Sequence, residues 1–483
     1  MSVETETLVP TMLDSEPIGG EKAAPRPQPV AASERVAAVD VLRGFALLGI
    51  LAMNIIAFAW PGAAYDNPTR GGGFTGFDRV IWVFNHLFFE MKMMTLFSML
   101  FGAGLVLMGE RADQRGASLR GVYYRRCLWL LVIGLIHSYL IWYGDILVLY
   151  AECGLIIYLF RSWRPRTLIP VGVVFLCVLV PIVLGFAAAF HFLEDTAKKA
   201  EAAEKAQSQP TRFQAWIYHD IWIPKVLPKI DPDSPKKKEN FEKSIKIHRG
   251  GYAGIVKERA KELFFGQTLG FFLGGFWLAG GRMLIGMGLM KLDVFSGRRS
   301  RRFYLWLMLL GYGVGLPLVA YDAYALLRTN FDFRFELYGG IFLNFFGSVL
   351  VALGHVGALM LIYKAGLLTW LTSRLAAVGR MALTNYLTHS IVCTTLFYGY
   401  GFGLFGHINR TGLAGIVLVI WIAQLLVSPI WLERFRFGPA EWLWRSLTYW
   451  KLQPMLRRAE AAAVRGSVSK ASSTRALLIC GVV

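Results

Sequence analysis

The sequence is poor in charge and in cysteine. Only 17% of its 483 residues are charged, whereas 55% are hydrophobic. This composition excludes an ordinary soluble enzyme and is typical of an integral membrane protein. The five cysteines are scattered, with no CxxC pair and no cysteine and histidine cluster at the spacing of a zinc site. We therefore predict neither a disulfide framework nor a metal site.

The two ends of the sequence lack long apolar runs. Residues 1–34 are rich in Pro, Ala and Glu and contain no apolar core of the signal-peptide type, which predicts a disordered cytoplasmic tail that is not cleaved. Residues 456–483 are predicted to be a flexible cytoplasmic tail. Cys480 formally begins a prenylation box, which we interpret as a chance match because many helices already hold the chain in the membrane.

Between these tails lie ten apolar segments, each long enough to approach the thickness of a hydrocarbon core of about 30 Å. They predict an all-α bundle of about ten transmembrane helices, divided into an N-terminal part, 35–192, and a C-terminal part, 262–455. The C-terminal part includes a predicted interfacial helix over 437–449. The ten segments are 39–60, 80–109, 127–143, 146–160, 168–192, 264–290, 303–325, 340–363, 381–402 and 413–432.

The formal charge of +19 reflects membrane topology. Lys and Arg occur in short clusters between apolar runs and not along one basic face, so we predict no nucleic-acid partner. One alternating set of short loops carries sixteen of them and the other set four. Because cytoplasmic loops are enriched in Lys and Arg, both termini are predicted to be cytoplasmic. The polar segment 193–261 is then extracytoplasmic; we expect 194–209 to be helical and the rest to be a solvated loop.

Ionisable residues inside a span are candidate functional residues, because they usually face a bundle interior or a water-filled cavity. On the first helix, Asp40 and Arg43 are three residues apart and can form an ion pair. Asn54 lies eleven residues after Arg43, close to three full turns, and so shares its face. This polar face either lines a cavity in which Arg43 holds an anion such as a phosphate, or forms a structural ion pair between helices.

A histidine and a carboxylate at the end of the third span form the minimal general-base pair. His137 lies in that span, and Asp145 follows at its outer turn. The alternative is that His137 only forms a structural hydrogen bond, and three other histidines compete for a chemical role. These are His86, His355 and His389.

Three further spans contain polar residues. Arg282 lies in the glycine-rich sixth span, where it is predicted to be a buried cation that forms an anion site together with the first helix. Lys92 either extends to the interface, pairs with Glu90, or contributes to that site. The ninth span contains Thr384 and Asn385 and must face protein or water.

Several of these runs together resemble the YeiB-like family of bacterial membrane proteins, known as domain of unknown function 418. The resemblance covers roughly residues 35–455 and implies a multi-pass protein of the bacterial plasma membrane. The first helix is also similar to that of membrane acyltransferases of the heparan glucosaminide acetyltransferase type, with counterparts of Asp40, Arg43, Gly44 and Asn54. Their catalytic histidine would fall within 55–78, where this sequence has none. The runs that carry the family resemblance are 39–51, 96–104, 134–137, 144–147, 379–386 and 437–445.

That resemblance implies transfer of an acyl group from cytoplasmic acyl-CoA to an extracytoplasmic glycan or lipid acceptor. Basic residues would hold the phosphates, a histidine would act as the base, and an amide would stabilise the oxyanion. The residues assigned to these roles are Arg43, Arg282 and Lys92, then His137 with Asp145, and then Asn54, with Asp40, Thr384 and Asn385 as further substrate-binding candidates.

Two other classes of function remain open. A transporter or lipid flippase would use the same polar residues as a pathway, with His137 or Asp145 as a proton site. A structural membrane partner would use them only to hold helices together. For the enzyme, we expect six residues to converge on one cavity, namely Arg43, Asn54, His137, Asp145, Arg282 and Asn385.

Overall fold

The structure is a computed structural model and describes residues 36–231 and 234–457. This part of the chain is helical and contains no β-strand beyond one isolated bridge between Phe435 and Leu456. The all-α prediction is therefore confirmed. The predicted tail 1–34, Cys480 and nearly all of the predicted tail 456–483 lie outside the described residues.

The first half of the bundle consists of six principal helices. A backbone break at Met91, whose φ is 58°, divides the second predicted span into α2 and α3. The fourth helix continues as a π-helical turn, His137–Ile141. In chain order the helices are α1 (Ala37–Ala59), α2 (Phe77–Phe88), α3 (Lys92–Gln114), α4 (Arg120–Ile136), α5 (Leu147–Ile157) and α6 (Pro165–Lys205).

The second half begins within the polar segment and ends with a helix beside the bundle. A π-helical stretch, Phe271–Gly280, leads into α9. The principal helices are α7 (Pro235–His248), α8 (Tyr252–Gln267), α9 (Gly281–Lys291), α10 (Arg301–Arg328), α11 (Ile341–Ala365), α12 (Thr369–Arg380), α13 (Ala382–Phe397), α14 (Arg410–Arg434) and α15 (Pro439–Tyr449).

Within the described part of the chain, fewer helices meet the length and hydropathy expected of a membrane span than the ten predicted. In the described ranges, eight helical segments are long and apolar enough to cross a membrane. The predicted spans 146–160 and 381–402 instead form shorter helices. The first runs over Leu147–Phe160, about 21 Å at 1.5 Å per residue, because the chain reverses immediately before it. The second, α13, is separated from α12 by a break at Met381 and reaches about 24 Å.

Glycines allow the central helices to approach until their backbones touch. A Cβ atom on Gly44 of α1 would collide with the carbonyl of Leu375 on α12, and one on Gly379 would collide with the carbonyl of Asp40. Small residues commonly permit such close crossings in membrane bundles. The crossing fixes α1 against the junction of α12 and α13, which positions the site described below.

The bundle has two ends, which we call the basic side and the opposite side. The basic side carries the short loops rich in Lys and Arg, and the opposite side carries Arg410 and the segment 193–261. The prediction of a helix over 194–209 is confirmed up to Lys205, where α6 ends. The expectation of a solvated loop beyond it is corrected, because α7 and α8 pack onto the bundle. Arg249 donates to the carbonyl of Phe405 at 2.7 Å, and the His248 ring stacks on the Phe405 ring at 4.4 Å.

Candidate functional site

A cavity of about 240 Å³ opens near the basic side, between α1, α3, α4, α13 and α15; we call it the basic cavity. Its walls contain five arginines and two carboxyl groups, which gives a formal excess of three positive charges. Such a wall favours an anionic ligand. Its charged lining residues are Arg43, Arg111, Arg126, Arg380, Arg445, Asp40 and Glu441.

Neighbouring side chains hold two of these arginines in place. Arg43 donates to a carboxylate oxygen of Asp40 at 2.9 Å, as the spacing on α1 predicts. The guanidinium of Arg126 lies 3.7 Å from the ring centre of Trp444 on α15, and the indole N–H of Trp444 donates to the Arg126 carbonyl. A cation over an aromatic face is held without neutralising its charge. Both arginines are thus oriented while the cavity keeps its positive excess.

Glu441 on α15 lines the basic cavity and caps the N-terminus of α13. Its carboxylate accepts from the backbone N–H of Leu383 at 2.6 Å and of Thr384 at 3.0 Å. The Thr384 hydroxyl donates to the other carboxylate oxygen at 2.5 Å. A carboxylate is favourable at the N-terminus of a helix. Burial raises the pKa of the Glu441 carboxyl, and these hydrogen bonds oppose that rise.

The two polar residues of the predicted ninth span form hydrogen bonds to other residues of the protein. Thr384 bonds to Glu441, and the amide of Asn385 donates to the Val378 carbonyl at 3.2 Å and to the Ser428 hydroxyl at 3.1 Å. Neither side chain lines the basic cavity. Their observed role is to join α13 to its neighbouring helices.

His137 lies at the centre of a three-residue hydrogen-bond chain. Its Nδ1 is 2.7 Å from a carboxylate oxygen of Asp145, and its Nε2 is 2.8 Å from the Ser390 hydroxyl. The second oxygen of Asp145 accepts from the N–H of Val148 at 2.7 Å and caps α5. An ionised carboxylate only accepts, so Nδ1 donates to it and Nε2 of the neutral ring accepts from Ser390. This is the arrangement in which an imidazole acts as a base.

Tyr386 separates this chain from the basic cavity. It lines the cavity and lies one helical turn before Ser390, so both residues project from the same face of α13. Its ring centre is 5.2 Å from that of His137. Its hydroxyl accepts from the N–H of Ile146 and donates to the carbonyl of Gly144, each at 3.3 Å. His137 is therefore one side chain away from the cavity.

A second cavity, of about 190 Å³, lies near the opposite side between α1, α2 and α14; we call it the aromatic cavity. His86 of α2 faces it, and its two ring nitrogens contact Glu90 at 2.5 Å and Asp322 of α10 at 3.0 Å. Its aromatic lining residues are Tyr65, Trp82, Phe84, Phe89 and Trp421.

Comparison with known proteins finds relatives that match most of the chain. The family model described as a protein of unknown function, DUF418, matches residues 289–451. The chain is 33% identical to the uncharacterised protein YeiB of Escherichia coli strain K12 over 433 residues, which cover 86% of this chain and 96% of that protein. The chain belongs to the YeiB-like family. It is also 31% identical to the uncharacterised protein YxaH of Bacillus subtilis strain 168, over 90% of this chain and 99% of that protein. No solved structure matches.

In this YeiB-like protein, the residues predicted to form one cavity lie in several places. Asp40 and Arg43 line the basic cavity, and His137 and Asp145 lie behind Tyr386. The expectation that six residues converge on one cavity is therefore wrong, because only Arg43 of the six lines the basic cavity. Asn54 faces the same direction as Arg43 but lies about 16 Å further along α1, beyond the residues of that helix that line the basic cavity.

Lys92 and Arg282 also lie outside the basic cavity. Lys92 begins α3, whereas the α3 residues that line the cavity start at Phe97. Its ammonium donates to the carbonyl of His86 at 2.6 Å and to Asn344 at 2.7 Å. Arg282 is fully buried on α9, and none of its guanidinium nitrogens has a hydrogen-bond partner among the described residues. Neither cation joins Arg43 in lining the basic cavity.

Sequence reasoning missed several residues of the basic cavity in this YeiB-like protein. The sequence alone assigns no site role to Arg111, Arg126, Arg380 or Glu441, all of which line the basic cavity. The run 437–445 signals Glu441, but its partners on α13 are not visible in sequence. In the residues that the structure describes, no group of three or more His, Cys, Asp or Glu could hold a metal ion.

Proposed function

We propose that this protein is a membrane acyltransferase of the bacterial plasma membrane that uses acyl-CoA as donor. The observation that carries the proposal is the basic cavity, with its excess of three positive charges. The predicted topology places this cavity on the cytoplasmic side, where acyl-CoA is found. The acceptor would be a glycan or lipid hydroxyl or amine on the extracytoplasmic side.

The phosphates of acyl-CoA match the arginine wall chemically. Guanidinium groups bind phosphate through paired, charge-assisted hydrogen bonds. Arg43 is held by one carboxylate and Arg126 by an aromatic face, and both line the cavity. The acyl end would extend inward to Tyr386, past apolar walls that include Phe97 and Leu100.

His137 would act as the general base. In the transfer, the acceptor oxygen or nitrogen attacks the thioester carbonyl and its proton passes to Nε2 of His137. The carbon–sulfur bond then breaks, and the departing thiolate receives that proton, so that CoA leaves as the free thiol. Asp145 stabilises the imidazolium that forms in between. Access to Nε2 requires Tyr386 to leave its hydrogen bonds to Ile146 and Gly144.

The test uses the purified full chain in lipid nanodiscs containing bacterial lipid extract. Binding of acyl-CoA and release of free CoA thiol are measured for the wild type and for His137→Gln. The matched control is His389→Gln, which changes another buried histidine that bonds to Gln424 at 2.8 Å and lines neither cavity. We expect His137→Gln to bind acyl-CoA but to lose thiol release, and the control to keep both. A wild type that does not bind acyl-CoA would contradict the proposal.

A transporter or lipid flippase is the second candidate, because two cavities lie near opposite sides of the bundle with α1 packed between them. It predicts solute or lipid movement across reconstituted vesicles without acyl-CoA, with loss of that movement in Asp145→Asn. Movement with these properties, together with no thiol release, would favour the transporter over the acyltransferase.

A further inference from the structure

The aromatic cavity lies on a different face of α1 from the acyl-CoA site proposed above. Ala52, Ile55 and Ile56 line the aromatic cavity. At 100° per residue they share one face of α1, whereas Arg43 and Asn54 project from nearly the opposite face. A ligand of this cavity is therefore not in line with the basic cavity or with His137. A ligand of the aromatic cavity would therefore be separate from the acyl donor.

The side of this cavity is continuous with the lipid-facing surface. Phe84 of α2 and Leu418 of α14 line the cavity, and they are 51% and 53% exposed. Val80 and Val419, on the same two helices, are exposed as well. In a membrane-spanning chain, exposed apolar faces of this kind contact lipid. The cavity thus adjoins the bilayer between α2 and α14, and an apolar ligand can enter from the side.

The inner wall of the cavity presents a hydrogen-bond acceptor. Glu90 lines the cavity with a side chain 24% exposed, and it is held by His86, whose other nitrogen contacts Asp322. An imidazole between two ionised carboxylates carries hydrogens on both nitrogens, so it cannot accept a further hydrogen bond. Glu90, in contrast, uses only one carboxylate oxygen for His86 and lines the cavity, so its other oxygen can accept a hydrogen bond. A ligand hydroxyl is the natural donor to it.

A phosphate-bearing ligand is disfavoured in the same place. Arg410 lines the cavity, but its guanidinium already donates to the carbonyls of Ala64, Pro68, Gly71 and Gly73. The cavity extends inward to Trp421, eleven residues or about 16 Å along α14. A charged head group would be costly at that depth. The chemistry therefore favours an uncharged polar group on an apolar chain.

We propose that the aromatic cavity binds an uncharged lipid alcohol, such as a diacylglycerol, whose hydroxyl donates to Glu90 and whose chains leave between α2 and α14. Lipid binding here is independent of the acyltransferase proposal, because the two sites lie on different faces of α1.

The test uses a diacylglycerol that carries a photoreactive diazirine in one acyl chain, with the full chain in phosphatidylcholine nanodiscs. After irradiation, labelled peptides are mapped by mass spectrometry. We expect saturable labelling within Phe77–Phe88 and Arg410–Arg434. Unlabelled dioleoylglycerol should compete, whereas its 3-O-methyl ether, which lacks the free hydroxyl, should compete at least tenfold more weakly. Equal competition by the ether, or labelling spread over the whole lipid-facing surface, would overturn the proposal.

Two substitutions on α14 test the site without changing Glu90 or His86: one fills the cavity, and the other is a control on the outer surface of the helix. Ala414→Phe places a large side chain in the cavity, whereas Ala423→Phe on the same helix places one on an exposed surface. Labelling should fall at least tenfold in the first and be unchanged in the second. Thiol release from acyl-CoA, measured on the same samples, reports the acyltransferase proposal separately. Undiminished labelling in folded Ala414→Phe would show that the lipid binds elsewhere.

Discussion

Replacing Asp145 with Asn tests whether His137 acts as a base. In the wild type, Asp145 accepts from Nδ1, which leaves Nε2 as an acceptor toward Ser390. The amide group of an Asn would instead donate to Nδ1 and force the hydrogen onto Nε2. The ring would then be unable to accept a proton there. General-base catalysis contributes typically 10²–10⁴ in rate, so thiol release should fall by about that factor.

The fold should tolerate this change, because the cap of α5 is preserved. One oxygen of Asp145 accepts from the Val148 N–H at 2.7 Å, and the Asn oxygen can take its place. Asp145→Ala removes the cap as well and should cost a further 0.5–2 kcal/mol, roughly the value of an N-cap. The melting temperature in detergent measures the loss of stability separately from the rate of thiol release.

The assay follows free CoA thiol with time at saturating acyl-CoA, for protein in nanodiscs, and binding of acyl-CoA is measured on the same samples. Asp145→Asn should bind acyl-CoA as the wild type does and release thiol at least about a hundredfold more slowly. If it binds normally and keeps more than about a third of the wild-type rate, His137 is not the base and the reasoning fails.

The remaining predictions concern stability, measured as thermal unfolding in detergent. Glu441→Ala should destabilise the protein by about 1–3 kcal/mol because two buried N–H groups lose their acceptor, and Glu441→Gln should cost less. Because burial raises the pKa of Glu441, the native state binds the carboxyl proton more tightly than the unfolded chain does. Wild-type stability should therefore fall as pH rises from the ordinary carboxyl pKa through the raised one. Glu441→Gln should lack this fall, because its side chain does not titrate. Equal pH profiles would contradict that. Arg282→Met should be neutral or stabilising, because it removes a buried guanidinium that has no hydrogen-bond partner among the described residues and lies 5.8 Å from the centre of the Phe345 ring; a loss beyond about 1 kcal/mol would contradict this. Gly379→Ala should cost roughly 1–3 kcal/mol through collision with α1, whereas Gly185→Ala, which meets no atom within 4 Å, should not; similar melting temperatures would refute the crossing.

The helical class and most helix positions follow from hydrophobic runs alone, but interruptions inside those runs do not. Met91 and Met381 are apolar residues at which the backbone leaves the helix, and hydropathy gives no sign of either break. The break at Met381 depends on Glu441, which caps α13 from 58 residues further along the chain. For that reason hydropathy predicts the ninth and tenth spans alike, although α14 is long enough to cross a membrane and α13 is short.

The candidate site was partly visible in sequence where its partners are close in the chain. Asp40 with Arg43, and His137 with Asp145, form the contacts that their spacing suggests. The network of His86 with Asp322 joins residues 236 positions apart, and no local pattern predicts it. The arginines of the basic cavity were hidden for a different reason. A charge that sets membrane topology and a charge that lines a cavity occupy the same loops and helix ends, so sequence cannot separate the two roles.

Equilibrium binding of acyl-CoA to the wild type is the most direct test of the claim that the basic cavity holds the phosphates of an acyl donor. Isothermal titration with acetyl-CoA and with acetyl-pantetheine, which has no phosphate, compares the two ligands on the full chain in nanodiscs. We predict saturable binding of acetyl-CoA only, weakened about tenfold or more in Arg43→Gln and unchanged in Arg298→Gln, whose side chain is exposed on the same side of the bundle. Equal binding of the two ligands, or no effect of Arg43→Gln, would contradict the claim.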